Sequence, residues 1–357
     1  MPFLSLTFQN FRNLKNKTLD LCSKEVFFVG ENGQGKSNIL EALYMTSYGS
    51  SFRTHRDNEI IKSGMENYGV SALFRQQNDL SDRIIVKFEK GKKRIEKNGK
   101  KVIDRKEILN IIPTVVFCYD DLQFVVGEPE RRRFFIDQTI SMYDILYLET
   151  IRRYKKILKN RNLILKEKKY ELLDVYDLHL ATAGIEMQKK REKTFFLFNR
   201  IFTKIYKEVS NLENVTVQYR SNWKAETVEE AVKILFDKRE IDKTMGITMS
   251  GPHRDRIIYT KDKNCFVPTA STGQRRLIAL VLRIVQSKYY SEVTGKKPIL
   301  LLDDVLLELD PEKRKKITSL LPEYDQMFCT YLPEEPYERY KNLDTKILYI
   351  KDGDWYE

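Results

Sequence analysis

Cysteine and histidine are scarce in this chain and widely separated. Cys22, Cys118, Cys265 and Cys329 form no C-x-x-C pair, which argues against a disulfide framework or zinc ribbon and predicts buried free thiols in a reducing cytosol. His55, His179 and His253 are equally scattered and offer no zinc-ligand spacing. Long apolar runs are missing too: the stretch 277–285 is too short to span a bilayer and is interrupted by Arg283. No lipidation motif is present, and Pro2-Phe3-Leu4 opens an alternating strand rather than the apolar centre of a signal peptide. The expectation is a soluble, cytoplasmic chain with no membrane partner. Between residues 140 and 209 proline is absent and Gly184 is the single glycine. That scarcity removes the usual chain-breakers and leaves room for long helices.

What the chain has in excess is positive charge. Its 357 residues include 63 Lys and Arg against 51 Asp and Glu, a formal net charge of +12. A polyanionic partner follows, nucleic acid before membrane, because the charge is clustered. The length predicts one large domain or two unequal ones.

The strongest local pattern is Gly30-Glu31-Asn32-Gly33-Gln34-Gly35-Lys36-Ser37. It follows the apolar run Val26-Phe27-Phe28-Val29, which reads as a buried strand, and precedes Asn38-Ile39-Leu40-Glu41-Ala42-Leu43-Tyr44, which reads as a helix. Strand, glycine loop and helix are the context of a P-loop, whose backbone N–H groups cradle a polyphosphate where a β-carbon would be in the way. The helix that follows turns its unpaired first-turn N–H groups toward the same anion. Lys36 is then the group that reaches the β- and γ-phosphates, and Ser37 the ligand of a bridging Mg²⁺. An ordinary glycine turn is the competing reading, but it explains neither the lysine nor the serine. Nucleoside triphosphate binding is the inference, with ATP and Mg²⁺ as cofactors.

Before this loop, Asn10-Phe11-Arg12-Asn13 leaves a half-buried strand for a polar turn, which brings Arg12 and Asn13 into reach of bound nucleotide or leaves them in a solvated turn. From 70 to 103, β-rich runs are separated by the turn dipeptides Lys90-Gly91 and Asn98-Gly99 and carry Lys92, Lys93, Arg94, Lys97, Lys100 and Lys101. Such lysines either guard a sheet edge or contact nucleic acid. Apolar residues then recur at helical spacing through 140–209, with a break near 169–174, so a helical hairpin or small helical lobe is predicted. Between 152 and 169 there are nine Lys or Arg and one acid, Glu167. A solvated helix face normally mixes signs to gain i,i+4 pairs, so Arg152, Arg153, Lys155, Lys156 and Lys159 are candidates for contact with an external polyanion. Farther on, His253 in Ser250-Gly251-Pro252-His253-Arg254-Asp255 reads as a hydrogen-bonded turn residue.

Two distal motifs complete the pattern. Ser271-Thr272-Gly273-Gln274 opens the apolar helix that begins near Leu277, as a simple N-cap or as a second anion site. The apolar strand 298–302 ends in Asp303 and Asp304, with Leu309-Asp310 after a short turn. Adjacent strand residues face opposite ways, so Asp303 is assigned to Mg²⁺ and Asp304 to the water that attacks the γ-phosphate, with Lys36 as the other catalytic group.

P-loop, S-x-G-Q helix and apolar strand with D-D, in that order, resemble the ABC-type ATPases of the SMC and recombination class. Asn10-Phe11-Arg12-Asn13, Phe52-Arg53-Thr54, Gly127-Glu128-Pro129 with Arg131-Arg132, the 250–255 loop and Leu302-Asp303-Asp304-Val305-Leu306 narrow the resemblance to the bacterial RecF family over nearly the whole chain. Leu307, where the family often has a small polar residue, and Thr272 depart from its pattern.

The resemblance implies an α/β fold: a P-loop ABC-type ATPase head formed by 1–125 and 212–357, a β-rich subdomain at about 70–110, and an inserted helical lobe at 126–211 with a basic surface. It also implies ATP-dependent binding to duplex DNA and to single-strand/duplex junctions in recombinational repair, acting with RecO and RecR to bring RecA onto gapped DNA. Ser271, Gly273 and Gln274 would contact the nucleotide held by the P-loop of a second copy, making an ATP-dependent homodimer with slow, DNA-stimulated ATP hydrolysis. The ATPase subunit of an ABC transporter is the alternative with the same three motifs. Too few residues separate Gly30 from Ser271 for the long heptad arms of SMC proteins.

Overall fold

The structure, a computed structural model, describes residues 2–76, 80–305 and 311–357, with the side chain of Pro311 excepted. Two compact units result, Met1–Tyr119 with Gly295–Glu357, and Asp120–Thr294.

The first unit holds two six-stranded sheets. In one, Glu25–Val29 lies between Gln326–Tyr331 and Thr345–Lys351, and Ile299–Leu302 lies between Gln326–Tyr331 and Thr114–Phe117; all these pairings are parallel. Glu25–Val29 is buried along its whole length, as its unbroken apolar run requires of a central parallel strand. Ligand-binding loops in such a sheet gather beyond the carboxyl ends of the strands. The glycine loop leaves the end of Glu25–Val29, and Asp303 leaves the end of Ile299–Leu302.

The other sheet is antiparallel. Phe3–Gln9 pairs with Thr18–Asp20 and Tyr68–Arg75, and the order continues through Ser81–Glu89, Lys92–Lys97 and Lys100–Lys101. The turn dipeptides Lys90-Gly91 and Asn98-Gly99 form hairpins, with Gly91 and Gly99 at positive φ. Gln326 ties the two sheets together: its Oε1 accepts from Phe3 N at 2.7 Å, and its Nε2 donates to the carbonyls of Phe3, Leu21 and Ser23.

The second unit is built on Ile145–Glu167 and the 38-residue helix Leu173–Ser210. The break expected near 169–174 is a left-handed Lys168 followed by a single 3-10 turn, Tyr170–Leu172. The unit extends to Thr294, whereas the sequence pattern closes the helical lobe at residue 211 and returns 212–294 to the head. Packing explains the difference. Tyr219 of the strand Val215–Arg220 stacks on Phe195 at 5.4 Å, and Asn199 Oδ1 accepts from Val217 N at 2.9 Å, so this strand is covered by the long helix. Arg256–Lys261 pairs with it in turn.

Burial also corrects the cysteines. Cys329 is buried as expected, but Cys22 and Cys265 are exposed, because they sit in a turn and on a two-residue edge strand that no layer covers. Among the described residues no helix is long and apolar enough to cross a membrane.

Candidate functional site

The glycine loop follows from local sequence. Gly35 has φ +118°, and a β-carbon there would lie 2.9 Å from both Asn13 Oδ1 and Leu14 Cδ2. Only glycine lets the loop turn into the helix Lys36–Tyr48 against that neighbour. Asn13 braces the loop from outside: its Nδ2 donates to Gly33 O at 3.1 Å, and its Oδ1 accepts from Asn38 Nδ2 at 2.8 Å.

Lys36 is 4% exposed, and its ammonium donates to Gly30 O at 2.5 Å and Glu31 O at 3.1 Å. A buried cation with neutral carbonyls as its partners is poised for an anion. Ser37 Oγ donates to Asp303 Oδ1 at 2.6 Å across 266 positions of sequence. Burial, with Asp304 close by, pushes the Asp303 pKa up to about 6 against the lowering effect of the Ser37 hydrogen bond. A hydroxyl and a carboxylate short of positive charge fit an incoming divalent cation. Among the described residues no three His, Cys, Asp or Glu side chains converge to hold a metal. Phosphate oxygens and water therefore have to complete any Mg²⁺ shell, as they do for Mg²⁺ generally.

Asp304 has φ +53°, in the left-handed region that aspartate tolerates better than most residues. Thr330 holds it there: Asp304 N donates to Thr330 Oγ1 at 2.8 Å, and Thr330 Oγ1 donates to Asp304 Oδ1 at 2.6 Å. Asp303 and Asp304 thus take different partners, Ser37 and Thr330. Leu306, Leu307, Leu309 and Asp310 lie outside the described residues.

Arg12, expected beside nucleotide, is held in place by a neighbouring acid and a backbone carbonyl. Its Nε and Nη2 donate to the two carboxylate oxygens of Glu41 at 2.9 and 2.8 Å, and Nη1 donates to Glu59 O. Glu41 is fully buried and also accepts from Ser51 Oγ at 2.5 Å. Arg53 Nη1 donates to Asn38 Oδ1 at 2.7 Å. One buried carboxylate therefore gathers the Asn10–Asn13 turn and the loop after the P-loop helix. Its only sequence signal is an acid inside an otherwise apolar helical run.

A second support has no sequence signal of its own. Gly353 N donates to Gln34 O at 3.0 Å, and Asp352 N donates to Gln34 Oε1 at 2.5 Å, so the hairpin turn near the C-terminus clasps the glycine loop. Gly353 has φ +72°, and a β-carbon would fall 2.0 Å from Asn13 O. Gly353→Ala is expected to cost at least about 2 kcal/mol, combining left-handed strain with the clash. Differential scanning calorimetry should register this as a melting point several degrees lower, and the glycine loop should bind Mg-ATP more weakly; unchanged binding would mean that the clasp does not support the loop.

The remaining predicted residues belong to the second unit. Ser271 and Gln274 form a capping box for the helix Thr272–Thr294: Gln274 N donates to Ser271 Oγ at 3.2 Å, and Ser271 N donates to Gln274 Oε1 at 2.8 Å. Ser271, Thr272 and Gly273 are exposed.

On Ile145–Glu167, Arg152, Arg153, Lys155, Lys156 and Lys159 are all solvent-accessible. Lys155, Lys156 and Lys159 have no ion-pair partner among the described residues, while Arg153 donates to Glu186 at 2.7 Å. Arg161 is the correction to the expected solvated run. It is fully buried, with Nε 2.7 Å from Asp177 and Nη1 2.7 Å from Asp242. Its partners come from other helices, so i,i+4 spacing could not show them.

His253 is the hydrogen-bonded turn residue that the sequence suggests. Its Nε2 lies 3.0 Å from Thr248 O, an acceptor, so Nε2 carries the proton and Nδ1 accepts from Tyr154 OH at 2.7 Å. Burial pulls its pKa down to about 4. The folded state therefore keeps it neutral, and the stability it contributes is complete above the ordinary value of 6.5 and lost as pH falls toward 4. Denaturant titrations between pH 7 and 4 should show His253→Gln losing less stability over this window than the parent.

The parallel sheet, the glycine loop and the paired Ser37 and Asp303 define a P-loop ATPase head of the ABC type. The RecF/RecN/SMC N terminal domain family matches residues 3–351. The DNA replication and repair protein RecF of Treponema pallidum is 48% identical over 354 residues, covering 99% of this chain and all of that protein. The structure of a recombination mediator protein, RecF-ATP in the RecFOR pathway, superimposes with a TM-score of 0.88 at 30% identity, covering 99% of this chain and 96% of the other. An Smc head bound to the C-winged helix domain of ScpA shares the fold, with a TM-score of 0.60 at 18% identity, covering 99% and 95% of the two chains. The chain belongs to the RecF family.

Proposed function

We propose that this chain is an ATP-dependent DNA-binding protein of recombinational repair, working with RecO and RecR to promote RecA loading at gapped DNA. The observation that carries the reading is the meeting of Ser37 and Asp303 beside the Lys36 ammonium, in a chain matched end to end by RecF proteins. A transporter ATPase subunit is disfavoured by that full-length match.

In this reading Gly30, Glu31, Asn32, Gly33, Gln34 and Gly35 wrap the phosphates, and Lys36 leaves its loop carbonyls for the terminal ones. Ser37 and Asp303 hold Mg²⁺, which neutralises charge on the phosphates. Asn13 and Arg12 act by shaping the loop and its flank. Asp304, fixed by Thr330, orients the attacking water, and its short side chain suits slow hydrolysis as a reset. Ser271 and Gln274 give up their capping box and, with Gly273, contact the nucleotide of a second copy, closing a homodimer with two equal sites. Arg152, Arg153, Lys155, Lys156 and Lys159 then grip the DNA phosphates.

Ser271→Arg tests the composite site. Light scattering should show the parent doubling in mass with Mg-ATP while the variant stays single, although calorimetry still finds it binding ATP. A variant that pairs normally sinks the trans interaction.

A further inference from the structure

The second unit carries four arginines around one backbone position that the helix Ile145–Glu167 does not include. Asp255 is at the centre. Its carbonyl oxygen accepts from Arg133 Nη1 at 3.0 Å, and Arg254 and Arg256 flank it in the chain. Arg220 lies directly opposite Arg256 in the antiparallel pairing of Val215–Arg220 with Arg256–Lys261. Arg220, Arg254 and Arg256 are exposed, and Arg133 is half-buried.

The acid at the centre is spent elsewhere. The Asp255 side chain is fully buried and turned inward, where it accepts from Arg191 Nη1 at 2.8 Å, from Asn222 N at 2.8 Å and from the Tyr219 hydroxyl. Among the described residues none of the four arginines has an ion-pair partner. Arg220 reaches only Gln218 Oε1 at 3.5 Å, and Arg254 only Met249 Sδ at 3.6 Å. The buried arginines of the same unit are different: Arg161, Arg191 and Arg283 each hold an aspartate.

Like charges directly opposite each other in a ladder are destabilising. Two guanidinium groups facing each other without an acid between them therefore point to a ligand that offsets the repulsion. Guanidinium forks match phosphate oxygens two at a time, which lysine cannot do. The density of charge suits duplex DNA, which carries one negative charge per roughly 1.7 Å of axis.

We propose that Arg133, Arg220, Arg254 and Arg256 form a phosphate-backbone site for DNA, distinct from the basic face of Ile145–Glu167. The proposal rests on the DNA-binding reading above and assigns the exposed part of the 250–255 motif a function. His253, locked to Tyr154 and Thr248, holds the loop in place for its neighbour Arg254.

The test is fluorescence anisotropy of a labelled duplex with the full chain, over a salt series, for the parent and for Arg220→Gln/Arg254→Gln/Arg256→Gln. Removing these guanidinium groups should weaken binding at least about tenfold at moderate salt and flatten the log–log salt slope by about 0.9 for each phosphate no longer neutralised. The melting point should hold or rise as the facing charges disappear. Should the triple variant unfold, Arg254→Gln and Arg256→Gln made singly should each flatten the slope by about 0.9. Parental affinity and slope in the variants, with the parent binding DNA, overturn this site and leave the DNA reading intact. A parent that ignores DNA overturns both. Polyglutamate binding that the variant loses while its DNA binding is untouched overturns the proposal in favour of an acidic protein partner.

Discussion

Lys36→Ala is expected to weaken Mg-ATP binding by one to two orders of magnitude, the range set by about 1.5–3 kcal/mol for hydrogen bonds to a charged group. The unusual part of the expectation concerns the nucleotide-free protein. There the ammonium is buried, and its partners are two loop carbonyls, Gly30 O and Glu31 O. Such a cation has been taken out of water without a direct ion-pair partner among the described residues, so removing it should leave the melting point of the free protein unchanged or slightly higher. The two effects separate a binding residue from a structural one. Mg-ATP should raise the melting point of the parent by mass action and that of the variant by clearly less at the same concentration. Lys36→Arg should not rescue binding, because the loop encloses a compact ammonium that is 4% exposed and a larger planar guanidinium does not fit there. If the variant binds Mg-ATP as tightly as the parent, the glycine loop is not the phosphate cradle.

How far the sequence could be read depended on how far apart the cooperating residues stand. The strand, glycine loop and helix were legible because their signal is local: glycines at fixed spacing, a lysine and serine in register, and an apolar run on one side. The two long helices were legible for a similar reason, since their apolar period runs unbroken and only Gly184 interrupts the absence of breakers. Arg161 was not legible. It stands among solvated lysines, but its partners are 16 and 81 positions away. The clasp on Gln34 joins residues 318 positions apart, and nothing in Asp352-Gly353 says what that dipeptide touches. Thr330 stayed hidden because a threonine at the end of a buried strand has no pattern of its own. The extent of the second unit was equally hidden, because Val215–Arg220 looks like any alternating strand until Phe195 and Tyr219 are seen to stack.

The ion cluster behind the 250–255 loop yields the largest stability effect. Arg191 is buried to 2% exposure, and its one guanidinium group is shared among acceptors from several elements. Nε and Nη2 donate to the two oxygens of Asp137 at 3.0 and 2.9 Å, Nη1 donates to Asp255 Oδ2 and Pro252 O at 2.8 Å, and Nε also reaches Tyr147 OH at 3.2 Å. This arginine fastens Ile145–Glu167, through Tyr147, to the loop that carries His253 and Arg254. Arg191→Met keeps most of the side-chain volume and removes the charge, which leaves two aspartates without their counterion. Breaking a buried pair in this way costs about 3–5 kcal/mol, much more than the pair contributes over an apolar replacement. The pH dependence identifies the cause. Burial already raises the Asp255 pKa in the parent against the lowering effect of Arg191, and without Arg191 the carboxyl shifts higher still. A carboxyl whose folded pKa lies above its unfolded value stabilises the fold below the unfolded pKa and loses that stabilisation as pH rises through the folded one. The deficit of Arg191→Met should therefore be largest at neutral pH and shrink on acidification, when the orphaned Asp255 carboxyl takes up a proton. Arg191→Met/Asp255→Asn, which supplies a neutral isostere in advance, should recover part of the loss at pH 7. Chemical denaturation of the parent and both variants at pH 5 and pH 7 measures this directly. A deficit that is independent of pH and untouched by the second substitution would show that poorer packing, not stranded charge, is the cause.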